Sequence, residues 1–210
     1  EYMGSNTRSS YLGKWHLGDE IFPQHGWKDW ISFEDQYISH FSQGRDRTAR
    51  SDYHHYLKRT GFPCDKDTPS GPIYSRNYAA SMGEPHTKAA WLGRRAAKEI
   101  TSRAPQDGPW AMSVNFLEPH MPFFSPLNHH YATDTLEVPP IFSRIPDGPL
   151  PDSYLAHCHV HDQTGYDGQD VTSEAGWRRL MANYFGLVEM VDNAVGTILK
   201  ALEESGQADN

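Results

Sequence analysis

Residues 110–117, Trp110-Ala111-Met112-Ser113-Val114-Asn115-Phe116-Leu117, form a short and largely apolar run bounded by Asp107-Gly108-Pro109 and Pro119. Such a run, without polar alternation, suits a strand covered on both faces, as strands of a parallel sheet are. Just upstream, Trp91, Leu92, Ala96 and Ile100 recur at helical spacing between His86 and Arg103, with Thr87 placed to cap the start and Pro105 beyond the end. A helix leading into a buried strand predicts an α/β layout.

Toward the N-terminus, residues 11–18 read as a short strand entering a tight loop, because two glycines punctuate the aromatic and aliphatic side chains. Residues 20–85 are rich in Gly, Pro, Asp, Ser and aromatics without a sustained period, so irregular structure with short strands such as Trp30 to Phe33 is expected. Residues 119–170 hold more than half of the fifteen prolines and two His-rich patches, and read as an extended surface crossing. The last element is a long helix from Thr172-Ser173 to Gly206, with Leu180, Tyr184, Leu187, Val188, Val191, Val195, Ile198, Leu199 and Leu202 on one face.

The 210 residues are enough for one domain with a buried core. A chain that is 37% hydrophobic and 12% aromatic is not a disordered one. The net charge of -8, with no run of Lys or Arg, excludes a surface built to track nucleic acid. No stretch approaches the roughly 20 apolar residues a membrane span requires. The first residue is Glu1 and no basic-then-apolar leader opens the chain, which leaves the compartment unassigned. Cys64 and Cys158 have no metal or redox spacing, and two free thiols are expected in preference to a disulfide.

Two places carry chemistry. Gly13-Lys14-Trp15-His16-Leu17-Gly18 sets an ammonium and an imidazole two positions apart at a strand end, so that extended backbone points both the same way. A fixed positive charge beside a titratable donor suits an anion in transfer, although a lone K-x-H is more often a solvated lysine and a packed histidine. Glu118-Pro119-His120-Met121-Pro122 follows the predicted buried strand, and in open α/β sheets ligands gather beyond the carboxyl ends of strands. A histidine there is placed to act on substrate. His129-His130 and His157-Cys158-His159-Val160-His161-Asp162 admit a metal site, though alternating histidines in an extended loop usually face solvent.

The string at residues 13–18 resembles the second signature of the type I sulfatase family within the alkaline phosphatase superfamily. Pro119-His120-Met121-Pro122 is similar to that family's P-H-x-P element. Tyr184, Val188, Asp192, Val195, Gly196, Ile198 and Leu199 match its helix pattern Y-x-x-x-V-x-x-x-D-x-x-V-G-x-I-L. The three matches stand in family order and embrace nearly the whole chain, with residues 35–85 and 140–172 least constrained.

The resemblance implies an alkaline-phosphatase-like α/β sandwich with a largely parallel central sheet, flanking helices and long irregular loops, of which residues 1–210 form the central portion. It implies hydrolysis of a small-molecule or carbohydrate sulfate ester by a formylglycine hydrate, with a calcium ion bracing the sulfate. Lys14 then neutralises nucleophile and sulfate, His16 hydrogen-bonds the hydrate and acts as base, and His120 contacts the sulfate and helps protonate the departing alcohol. A periplasmic or secreted location follows from the same resemblance, while the oligomeric state is open.

The family's C-x-P-S-R nucleophile motif and early Asp-Asp metal pair do not occur, since Cys64 and Cys158 lack a following Pro-Ser-Arg. Formylglycine and calcium ligands are therefore expected outside this chain, with no metal ligand within it, and the isolated chain is expected to be inactive. Asn6-Thr7-Arg8-Ser9 also departs from the family's Gly-Tyr-x-Thr. Two alternatives remain open: a phosphonate or phosphate ester hydrolase of the same superfamily, and a non-catalytic carbohydrate-binding or interaction module.

Overall fold

The computed structural model describes residues 6–103, 108–142, 147–164 and 168–209, with backbone only for residues 160–164. Three strands form a parallel sheet: β1 is Arg8–Gly13, β2 is Asp29–Ile31 and β3 is Trp110–Asn115, in the order β2-β1-β3. Because all three run the same way, the chain leaves each at the same edge of the sheet. β1 lies in the middle, and from Ser9 to Gly13 every residue is buried. Its two buried serines find partners in β2 and the segment before it: Ser9 Oγ donates to Gly26 O (3.2 Å) and Ser10 Oγ to Asp29 Oδ2 (3.0 Å). β3 is half-buried rather than fully covered, because among the described residues it pairs on one side only.

Helix α1 spans Asp52–Thr60, α2 Arg76–Ala80 and α3 Lys88–Thr101. The predicted helix before β3 is α3, with Thr87 as its cap: Thr87 Oγ1 accepts from Ala90 N and donates to Glu84 O. Replacing Thr87 by Ala is expected to lower stability by about 1 kcal/mol in a urea titration, with the slope unchanged. Leu12, Ile31, Phe33, Tyr53, Leu57, Trp91, Leu92 and Ala96 meet in one core beneath the sheet. The loop after β2 is pinned to α1 by Asp35, whose carboxylate accepts from Ser51 N (2.6 Å) and pairs with His54 Nδ1 (2.8 Å).

Two compact units divide the chain, one of residues 1–118 and 190–210, the other of residues 119–189. The second holds α4, Asp152–Thr164, where the proline-rich composition had suggested irregular structure. The helix begins right after Pro151, whose carbonyl accepts from Tyr154 N and Leu155 N, as a chain that cannot continue a ladder upstream allows. Helix α5 spans Glu174–Glu204. Its packing face differs from the expected stripe, since Tyr184, Val188, Val195 and Leu199 are exposed. Small residues make the close contacts instead: a Cβ on Gly186 would meet Leu127 O at 2.9 Å in the second unit, and one on Gly93 of α3 would meet Ala194 Cβ at 2.9 Å in the first. No described helix is long and apolar enough to cross a membrane.

Candidate functional site

The carboxyl end of β1 carries the site. β1 stops at Gly13, whose φ of +103° turns the chain out of the strand while Lys14 N donates to Asn115 O at 2.8 Å. Lys14 and His16 thus lie on a loop, not on the extended strand end that the sequence suggested. The loop is seated by Trp15, which packs edge-on to Tyr11 (5.0 Å) and Trp30 (5.3 Å). Tyr11 stacks on Trp30 at 4.7 Å and donates its hydroxyl to Lys14 O. Burial, together with the nearby Glu20 charge, pushes the Tyr11 hydroxyl up to about 12, so it stays protonated as the donor this contact needs.

Lys14 and His16 still face a common partner. Glu20, with a side chain only 5% exposed, places Oε1 3.4 Å from Lys14 Nζ and 3.8 Å from His16 Nδ1. Trp30 Nε1 fastens its backbone carbonyl at 3.1 Å. The Lys14 ammonium also donates to Glu34 Oε2 at 2.7 Å and lies 3.9 Å from the centre of the Tyr37 ring. His16 meets the same ring edge-on at 5.0 Å, its own side chain largely exposed.

Glu34 is the electrostatic hub. Its other oxygen accepts from Lys88 Nζ at 2.7 Å, and Arg76 Nε lies 3.8 Å from that oxygen. Burial by itself pushes a carboxyl up, but the Lys88 and Lys14 ammoniums and their hydrogen bonds prevail and bring Glu34 down to about 2. Glu20 behaves in the opposite way. Burial dominates there, Lys14 opposes it and Glu34 adds repulsion, leaving the Glu20 carboxyl at about 7. Two acids on one lysine therefore carry different charge at neutral pH.

Glu118 follows β3 at the same edge of the sheet, its Oε2 buried without a partner and its carboxyl pushed up by burial. Lys88 opposes that shift, and the Ala89 amide at the start of α3 hydrogen-bonds the carboxyl. Glu20, Glu34, Tyr37, Lys88 and Glu118 were not singled out from sequence. Only the placement of Glu34 directly after the strand expected from Trp30 to Phe33 offered a signal for one of them.

His120 belongs to the second unit. It is exposed, and its Nδ1 lies 2.9 Å from Met121 O, an arrangement in which Nδ1 carries the hydrogen and donates it to that carbonyl. The His-rich patches have other duties. His130 Nδ1 pairs with Glu189 at 2.8 Å and His129 with Arg179 at 3.4 Å, both on α5. His157 and His159 lie on α4, where two positions of separation turn side chains about 200° apart, too divergent for one metal ion; the side chains of His161 and Asp162 lie outside the described residues. Among the described residues no group of three His, Cys, Asp or Glu could hold a metal. The acids of the Lys14 site are committed to lysines and do not form a calcium cage. Cys64 and Cys158 are free thiols.

The fold, a parallel sheet flanked by helices, is alkaline-phosphatase-like. It matches the solved structure of phosphonate monoester hydrolase SpPMH from Silicibacter pomeroyi with a TM-score of 0.58 and 18% identity, over 90% of this chain and 37% of that one. The chain is also 28% identical over 125 residues to the multifunctional alkaline phosphatase superfamily protein PehA from Trinickia caryophylli, covering 54% of this chain and 24% of that protein. It thus spans a quarter to somewhat over a third of the length of these relatives. The model of the sulfatase family matches residues 8–210, and the chain belongs to that family.

Proposed function

We propose that these residues supply the oxyanion-handling part of an ester hydrolase, with sulfate esters as substrate. One observation carries this reading: the ammonium of Lys14 and the imidazole of His16 stand side by side at the carboxyl end of the central strand, joined by a buried acid and braced by a second. Lys14 offers a fixed charge to the oxyanion, and the Glu34 and Tyr37 contacts hold it against thermal wandering. His16 works beside it as acid or base. The resemblance of Pro119-His120-Met121-Pro122 to the family's P-H-x-P element assigns to His120, in its imidazolium form, the proton given to the ester oxygen as its bond to sulfur breaks. A formylglycine hydrate would supply the attacking oxygen and calcium would polarise the sulfate, both from residues outside this chain.

A second reading, phosphonate or phosphate monoester hydrolysis, is supported by the description of SpPMH as a phosphonate monoester hydrolase. Sulfate and phosphorus esters share the tetrahedral shape that Lys14 and His16 would meet. Assay of the full-length protein with 4-nitrophenyl sulfate, 4-nitrophenyl phosphate and 4-nitrophenyl phenylphosphonate decides between them. The sulfate ester is expected to give the highest kcat/KM, and Lys14→Ala to lower it about 10²–10³-fold. Turnover of the phosphorus esters alone would reverse the ranking. Absence of any turnover by the full-length protein would favour a binding module.

A further inference from the structure

We propose that Glu20 is a proton-coupled competitor at the Lys14–His16 site: ionised, it holds Lys14 against an incoming oxyanion, and protonated, it yields Lys14 to that anion. The inference deepens the function proposed above and rests on Lys14 being the oxyanion contact. It begins from the three partners of the Lys14 ammonium. Glu34 takes one donor at 2.7 Å, the Tyr37 ring lies 3.9 Å away, and Glu20 takes the longest contact at 3.4 Å. With the Lys14 side chain only 15% exposed, an arriving oxyanion needs a donor already in use.

Glu34 cannot be the one displaced. It is bound by two short charge-assisted hydrogen bonds, to Lys14 and Lys88, and removing it would strand both ammoniums. Glu20 can be, since its hold on Lys14 is longer and the His16 Nδ1 atom is 3.8 Å away. An ionised Glu20 beside a bound sulfate would place two anions around the ammonium of a side chain only 15% exposed. Proton uptake by Glu20 removes that repulsion, turns a rival acceptor into a neutral group and leaves the positive charge of Lys14 to the ligand.

The groups that face Glu20 set where this happens. From the loop after β1 come Lys14 and His16, from β1 itself the Tyr11 hydroxyl, and from the loop after β2 the Glu34 carboxylate. Lys88 of α3 and Arg76 of α2 spend their charge on Glu34. With the Glu20 carboxyl at about 7, the exchange falls near neutrality. The sign is fixed by linkage: the bound anion favours protonated Glu20, so affinity is highest below pH 7 and falls as pH rises, at most tenfold per unit.

The test is titration of the 210-residue chain with sodium sulfate at constant ionic strength, from pH 6 to pH 8.5, by calorimetry, on the native chain and on K14A, E20Q and E20D, with thermal melting to confirm that each variant folds. Affinity in the native chain is expected to fall about tenfold across this range. E20Q, neutral throughout, is expected to keep its low-pH affinity, binding about tenfold tighter than the native chain at pH 8.5. Histidines titrate near neutrality too, so the comparison is repeated on H16Q and H16Q/E20Q, where any remaining slope belongs to Glu20. E20D is expected to keep the slope; a folded E20D that lost it would assign the effect to packing and overturn the proposal. Equal pH profiles for E20Q and the native chain would also overturn it while leaving Lys14 as the anion contact. Sulfate affinity indifferent to K14A would instead overturn the oxyanion site itself.

Discussion

Substitution of Glu34 by Gln is expected to cost about 3–5 kcal/mol of folding stability, read as a lower urea midpoint. Glu34 is 1% exposed in its side chain and takes a 2.7 Å hydrogen bond from each of Lys14 and Lys88. An amide keeps the shape but not the charge, so two ammoniums, one of them only 7% exposed, would share a buried site without a counter-ion. The cause is electrostatic, so removing one ammonium should restore part of the loss, and E34Q/K88M is expected to be more stable than E34Q. Recovery no greater than the sum of the single effects would argue against the charge cluster. The pH dependence gives a second reading. Because the folded Glu34 carboxyl lies at about 2, below its ordinary value of 4.5, its contribution is fully present above pH 4.5 and is lost as pH falls toward 2. That loss amounts to about 3 kcal/mol, and E34Q should lack it.

Gly13→Ala is expected to destabilise the chain by about 3 kcal/mol or more and to weaken anion binding by displacing Lys14. A Cβ there would lie 2.1 Å from Asn115 O and 3.0 Å from Leu92 Cδ2, with φ at +103°. The blocking atom is a backbone carbonyl already engaged by Lys14 N, so relief requires parting β1 from β3. Gly44→Ala separates this clash from conformational strain. Gly44 has φ of +87° but nothing within 4 Å of an added Cβ, so it should cost only about 1–2 kcal/mol. Thermal unfolding of the two variants compares them directly; equal losses would show that close packing at Gly13 is unimportant.

Much of this organisation is legible in the order of the residues. Thr87 and the Trp91-Leu92-Ala96-Ile100 spacing define α3, and Trp110 to Asn115 defines β3, because helix and strand periods are local properties of the chain. The sulfatase-like strings at residues 13–18 and 119–122 likewise sit in consecutive residues, and the family they pointed to is the family the chain belongs to. Other expectations gave way, among them the irregular structure expected for residues 20–85, which hold α1 and α2. His157 and His159, read from the sequence as part of an extended loop, are on helix α4. The apolar stripe of α5 is half exposed, since Gly186 and Ala194 permit closer approach than the larger side chains do.

From the sequence alone came the α/β class, the ends of the main helices, and the identity of Lys14, His16 and His120 as the groups with suitable chemistry. Only the fold revealed that Lys14 is held by Glu20 and Glu34, that Lys88 closes the cluster from α3, and that one acid is ionised near neutrality while the other stands at its midpoint. The physical reason is separation. Charge state depends on burial and on partners up to 54 residues away, and neither is a property of any short stretch of chain.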